Sequence, residues 1–275
     1  RHHSRLADAQ AGRLLEKLRA AGGDPVVIVV GDHGESLGDH GERTHGMLLY
    51  EAAVRVPFIV AAPGIAAAQR DDPVSLVDVA PTLVARAGQS LDDVPGRDLL
   101  ATPPGDREIY IETEYPRVAG WSPGYALLQD RWKLIVSGDP ELYDLAADPA
   151  ESIDLASMRQ PLVRAMEARL EVLREASDSG SRRAVTPEVS DRLRALGYVA
   201  SSREPPTPGD RPNPADHIEA WAEFETALAE ASSNDSAAAL GLLKRLADAH
   251  PGARVFQSTY ARLLAESGAV AAALR

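Results

Sequence analysis

The chain reads as an α/β fold carrying a small antiparallel subdomain and an all-helical tail. Three observations predict this. A continuously β-branched run, "VVIVV" (Val26 to Val30), follows a helix-like segment. A cluster of short strand-like runs begins after about residue 105. A proline-rich stretch, Ser201 to Pro214, precedes Ala-rich sequence. From these, residues 1–200 form the main domain with its antiparallel subdomain at about 105–150, 201–214 a linker, and 215–275 a helical domain.

The first element runs from Leu6 to about Ala20 and sets Leu14, Leu15 and Leu18 on one helical stripe, with Arg13, Glu16, Lys17 and Arg19 outside it. Gly22 and Gly23 end the helix, and Asp24-Pro25 turns the chain. "VVIVV" lacks the polar alternation of a half-exposed strand, which predicts a strand covered on both faces, as in a parallel sheet flanked by helices. "VPFIVAAPG" (Val56 to Gly64) is a second strand. Ser75 to Gly88 is a helix with Pro81 in its first turn. Helix, buried strand, loop, strand, helix is an α/β order.

Further on, "EIYIETE", "YALLQD" and "RWKLIV" predict short strands, with Gln129-Asp130 turning between the last two. Lys133 reads as a solvated residue of an edge strand. A helix over Pro161 to Ala176 and the short "DRLRALGY" come next. The linker holds five prolines and is expected to be extended. In the tail an offset of 34 pairs Ala227 with Ala261, Asn234 with Gly268, Ala239 with Ala273 and Leu240 with Leu274. Small residues at that period resemble tetratricopeptide repeats, one and the start of a second. An ordinary Ala-rich helical hairpin is the alternative.

Composition narrows the functional classes. A formal net charge of −12 and 41 acidic residues argue against non-specific binding to nucleic acid or anionic membrane. Without cysteine there is neither a disulfide nor a thiolate metal site. No apolar run approaches the ~20 residues that span a bilayer. The chain opens without Met or an apolar signal region. Its first helix already carries an apolar face, so the start is expected to be the middle of a longer polypeptide.

The chemistry concentrates in "GDHGESLGDHGERTHG" (Gly31 to Gly46), which holds three of the seven histidines. Asp32 and His33 directly follow the most strand-like run, and ligands of open α/β sheets sit at such carboxyl ends. A carboxylate and an imidazole on adjacent residues can reach one divalent cation where glycines allow a sharp turn. The plainer alternative is a turn or capping role.

The segment from "VVGDHGESLGDHGERTHG" through "VPFIVAAPG" closely resembles the C-terminal metal-binding segment of sulfatases in the alkaline phosphatase superfamily. "GWSPGYALLQDRWKLI", "ELYDLAADPAES" and "LRALGYV" resemble the C-terminal subdomain of bacterial members fused to tetratricopeptide repeats. The resemblance implies the C-terminal part of an alkaline-phosphatase-like α/β sandwich, and hydrolysis of sulfuric esters. It implies Asp32 and His33 as metal ligands, and His45 as the basic residue touching the sulfuryl or leaving-group oxygen. Glu35, His40, Tyr50 and Arg55 would orient these, His40 with packing of the loop as its other reading. Trp121 would line the substrate pocket or else fill the junction between two sheets. One divalent metal ion is implied, Ca²⁺ first, with Mn²⁺ or Zn²⁺ admitted by the imidazole. The substrate would be a small-molecule or glycan sulfate ester, a protein could bind the repeats, and an exported location, periplasmic or extracellular, is favoured.

One departure is decisive for activity. The family nucleophile lies in C-x-P-S-R, whose Cys becomes formylglycine, or in a Thr/Ser version ending in P-S-H, and neither occurs here. These 275 residues are expected to hold half an active site and to be inactive alone. A phosphodiesterase or phosphotransferase with a Thr nucleophile, and a non-catalytic scaffold bearing protein-binding repeats, are the competing readings.

Overall fold

A computed structural model describes residues 2–101, 105, 107–181, 211–233 and 236–273. The short "DRLRALGY" segment, most of the proline-rich linker, and the repeat positions Asn234 and Leu274 lie outside the described residues. Two compact units emerge, Arg1–Gly34 with Arg55–Ile109, and Glu35–Val54 with Tyr110–Arg275.

In the first unit, helix His2–Ala20 leads through a Gly-Gly turn to β1 (Val27–Val30). β1 pairs with β2 (Phe58–Ala61) in antiparallel register, Val29 opposite Ile59. This corrects the expectation of a parallel sheet covered on both faces. Val29 and Ile59 face the same side and are 52% and 58% exposed. An unbroken β-branched run states a preference for strand, not for a partner's direction. Leu14 and Leu18 of the first helix are likewise exposed. The predicted helix over 75–88 appears as a 3₁₀ turn, Leu76–Asp78, continued by helix Val79–Arg86, with Pro81 in its first turn. Buried Asp78 organises that corner. It accepts from the backbone N–H groups of Ser75 and Arg97 and pairs with Arg107. Burial pushes its carboxyl pKa up, but Arg107 and the two amides outweigh that and hold it low.

The second unit is built on a four-stranded sheet ordered β3 (Glu108–Thr113), β4 (Gly124–Gln129), β5 (Trp132–Val136) and β6 (Pro140–Asp144). β4, β5 and β6 are antiparallel, and Gln129 pairs with Trp132. The tight turn is therefore Asp130-Arg131, one residue beyond expectation, with Asp130 at φ 54°. Both faces are covered. Leu127, Leu134 and Leu142 stand on one face against Val163, Met166 and Leu170 of helix Gln160–Ser181. Ala126, Ile135 and Tyr143 stand on the other, in one core with Met47 to Tyr50 and with Ile218, Trp221, Phe224, Leu243, Phe256 and Leu263 of the tail.

The tail helices take part in this core. Helices Ile218–Ser232, Ser236–Ala249 and Arg254–Glu266 do not form a unit apart from the antiparallel sheet. The proline-rich run marked a change of composition, while Trp221, Phe224 and Phe256 needed an apolar surface that the sheet supplies. Of the paired positions, Ala227 and Ala239 are fully buried, while Ala261 and Ala273 are half-buried.

Candidate active site

The residues singled out in the sequence fall in both units. Asp32 and His33 sit at the end of β1 in the first. Asp32 Oδ1 accepts from the backbone N–H of His33 at 3.1 Å. His33 Nδ1 lies 2.8 Å from the Gly34 carbonyl. A carbonyl only accepts, so Nδ1 carries the proton and Nε2 presents the lone pair. That Nε2 lies 3.7 Å from Asp32 Oδ2, with the His side chain 44% and the Asp side chain 91% exposed. Two donors at that spacing fit a single cation with bonds of about 2.0–2.6 Å. Two donors alone do not complete a cation site. Among the described residues no group of three or more His, Asp or Glu stands together as a metal cage. Arg55, also in the first unit, is exposed.

The second unit holds the rest of the loop, and here the geometry is dense. Ser36 N–H donates to the Thr44 carbonyl at 2.8 Å, and Gly38 N–H to the Glu42 carbonyl at 2.7 Å, closing the loop on itself. Glu42 is fully buried at its centre. One carboxylate oxygen accepts from Ser36 Oγ at 3.0 Å, the other from the Met47 N–H at 2.7 Å. Burial raises its pKa, against the pull of these hydrogen bonds. Gly46 has φ 100°, and a Cβ there would meet the Tyr115 ring at 3.1 Å. Only glycine meets both demands. The Gly46 carbonyl accepts from Thr113 Oγ1 at 2.6 Å, tying the loop to β3.

Two side-chain pairs arise from this loop. His45 Nδ1 lies 3.3 Å from Glu35 Oε2, both side chains roughly two-fifths exposed. A carboxylate accepts only, so the proton of that contact sits on Nδ1. His40 stacks on Tyr50 with ring centroids 3.5 Å apart, and its Nε2 reaches the Ala150 carbonyl at 3.1 Å. Both contacts pack the loop, the plainer of the two readings of His40. Tyr50 donates to Glu141 at 2.6 Å, and burial first, then that carboxylate, raise its pKa.

Two expectations change. Lys133 is not a solvated edge residue. β5 is an inner strand, and Lys133 faces the Ile135 and Tyr143 side, fully buried. Its Nζ lies 3.0 Å from Glu51 Oε1 and 2.8 Å from Glu151 Oε1. Glu151 in turn accepts from the Glu51 N–H at 2.5 Å, at the start of the short helix Glu51–Val54 that follows the loop. Because β5 is apolar on both sides of Lys133, the sequence did hold a signal: a lone lysine in a two-sided strand needs partner acids. Trp121, one of whose readings was a substrate contact, is 3% exposed. It stacks on His217 and meets Trp221 and Phe256 edge-on. It fills the core.

Residues 2–89 match the Sulfatase family model. Among individual relatives, the chain is 35% identical to a choline-sulfatase of Rhizobium meliloti over 158 residues, which is 54% of this chain and 31% of that protein. It is 30% identical to arylsulfatase K of Bos taurus over 185 residues, 59% of this chain and 34% of that protein. It thus spans about a third of the curated relatives it matches. The crystal structure of yidJ from Bacteroides fragilis, a protein assigned as a sulfatase, superposes with a TM-score of 0.52 at 24% identity. That match covers 62% of this chain and 40% of the other, and it concerns the fold.

Proposed function

We propose that these residues supply the cation-holding and leaving-group side of a sulfuric ester hydrolase site, as the C-terminal part of a longer enzyme whose nucleophile lies outside this sequence. The observation that carries the reading is the His45–Glu35 pair, with Nδ1 and Oε2 3.3 Å apart, inside the segment matched to the sulfatase family. Relatives named as sulfatases of choline, aryl and hexuronate esters support the reaction class, and a small-molecule or glycan sulfate ester is the proposed substrate.

Asp32 and the Nε2 of His33 are the proposed ligands of one divalent cation, Ca²⁺ first, with Mn²⁺ or Zn²⁺ as alternatives. When bound, the cation neutralises charge on the sulfuryl oxygens. The protein's own part is proton delivery. Glu35 fixes the His45 ring through Nδ1, so that Nε2 is the nitrogen presented to the leaving alcohol oxygen. His40, stacked on Tyr50, holds the loop in that shape. A poor leaving group gains most from this protonation and an activated aryl leaving group least.

The test is made on the full-length polypeptide carrying these residues, with alkyl and aryl sulfates. His45→Ala is expected to lower kcat on an alkyl sulfate about 10²–10⁴-fold, the usual contribution of general acid catalysis. Glu35→Gln should cost less, and both should cost least on the aryl ester. Undiminished alkyl sulfate hydrolysis by His45→Ala would remove the proposed role. Faster turnover of an aryl phosphodiester than of the sulfate would assign the phosphodiesterase chemistry instead. No bound cation and no rate on either ester would leave the scaffold.

A further inference from the structure

We infer that the tail helix Ile218–Ser232 is a positioning element for the His45 loop, acting through Glu225 and Thr226. The inference rests on the reading of His45 given above. Four near-consecutive points of the loop meet the tail or a residue packed against it. At Gly41, φ is 84° and a Cβ would lie 2.9 Å from Ile218 Cγ2, so the loop backbone passes directly over the first turn of the helix. Arg43 Nη1 donates to Thr226 Oγ1 at 2.8 Å and to the Ala222 carbonyl at 3.3 Å. Thr44 Oγ1 donates to Glu225 Oε1 at 2.5 Å. Beyond His45, Gly46 lies against the Tyr115 ring, which meets Trp221 of the same helix edge-on at 5.5 Å.

His45 is therefore bracketed. The residue before it is tied to Glu225, and the residue after it rests on a ring held by Trp221. The helix itself is anchored independently, because Ile218, Trp221, Phe224 and Ala227 are buried in the core shared with the sheet. A rigid element thus presents Glu225 and Thr226 to a loop that has no regular structure of its own beyond one 3₁₀ turn. Misplacing a proton donor by ~1 Å can cost ~10²-fold in rate, so a brace at residue 44 acts on residue 45 directly. The Arg43–Thr226 bond is exposed and the Thr44–Glu225 bond half-buried; each has one ionised partner, and the less solvated Thr44–Glu225 bond is the stronger one.

Hydrogen–deuterium exchange on the full chain tests this without any turnover. Glu225→Ala and, from the loop side, Thr44→Val should each speed amide exchange over Ser36 to Gly46 by about tenfold or more, the loss of one charge-assisted hydrogen bond. Exchange in β4 and β5 should stay unchanged. Glu225→Gln, which keeps an accepting oxygen but not the charge, should fall between wild type and Glu225→Ala, and Thr44→Val with Glu225→Ala should exceed neither single change. Unaltered loop exchange in both single variants, or additive effects in the double, would overturn the proposal. Thr44→Val leaves the helix sequence intact, so it decides the matter even if Glu225→Ala disturbs the tail. In the full-length enzyme, Glu225→Ala should lower kcat on an alkyl sulfate at unchanged KM. Retained activity in His45→Ala would sink the functional reading alone, since the exchange experiment still reports on the brace.

Discussion

Replacing Lys133 by methionine isolates the buried charge network at the base of the loop. Methionine keeps the aliphatic reach of lysine, so the cavity contribution is small and the change is chiefly electrostatic. Lys133 and Glu151 are 0% and 1% exposed at their side chains, which leaves no solvent screening to discount, whereas Glu51 at 19% keeps some contact with water. Removing the cation strands one fully buried carboxylate and one mostly buried one. Breaking a buried pair costs about 3–5 kcal/mol, and the partial hydration of Glu51 places the expected loss in the lower half of that range. The loss must depend on pH. Burial is the main cause holding Glu151 above the ordinary value of 4.5, and Lys133 is the largest opposing influence. A carboxyl with a raised folded pKa binds more protons folded than unfolded, so its favourable contribution is present at low pH and is lost as pH rises through the folded value. Lys133→Met raises that value further, and the cost is greatest near neutrality and shrinks in acid. Urea unfolding followed by tryptophan fluorescence reads this directly, since Trp121, Trp132 and Trp221 all lie in the second unit. The midpoint should fall at constant slope, further at about pH 7 than at about pH 5. Adding Glu51→Gln and Glu151→Gln, which keep the helix-capping acceptor, should restore most of the loss. A Lys133→Met midpoint within about 1 kcal/mol of wild type at neutral pH, or one insensitive to pH, would refute the reasoning.

Two further outcomes are expected. Trp121→Ala should destabilise the second unit by about 3–5 kcal/mol in the same urea assay and leave KM for an alkyl sulfate unchanged, because a buried ring leaves a cavity and not an empty subsite. A raised KM with unchanged stability would return Trp121 to the substrate pocket. Gly46→Ala combines a disfavoured positive φ with the approach to the Tyr115 ring, and should cost roughly 1–3 kcal/mol and accelerate exchange over the loop, whereas a neutral effect would mean that the loop backbone is not held at that angle.

What was legible in the sequence was local. Gly-Gly and Asp-Pro ending the first helix, Pro81 in the first turn of its helix and the turn beside Asp130 are short-range chemistry, and each appears within a residue of its expected place. The acids and histidines between Asp32 and His45 were legible for the same reason, as a dense run of ionisable groups after a strand. Direction of pairing was not legible. "VVIVV" carries the same β-preference in either orientation, and β2 adds to it antiparallel. Lys133 was misread because alternation fails as a guide when both faces of a strand are covered: Leu134 packs on the helix side, and Lys133 and Ile135 on the other. The packing of the tail was not legible because composition marks where chains change, not what their apolar faces seek. Trp121 and Trp221, a hundred residues apart in sequence, share one core.

The same distinction orders the candidate site. The groups proposed to do chemistry lie within fourteen positions, Asp32 to His45, but the groups that hold the second-unit part of that run are remote in sequence. Thr113 binds the Gly46 carbonyl, the Ala150 carbonyl receives His40, Glu151 caps the helix that follows, and Glu225 takes Thr44. Ordering an irregular loop costs about 1–2 kcal/mol of backbone entropy per residue, more than its internal bonds from Glu42 and Ser36 can offset alone. A loop in that position is ordered only while its distant anchors are in place. The His45–Glu35 geometry is therefore a property of the folded second unit and not of the motif, and a peptide spanning Asp32 to Tyr50 should contain every proposed reactive group and none of the arrangement.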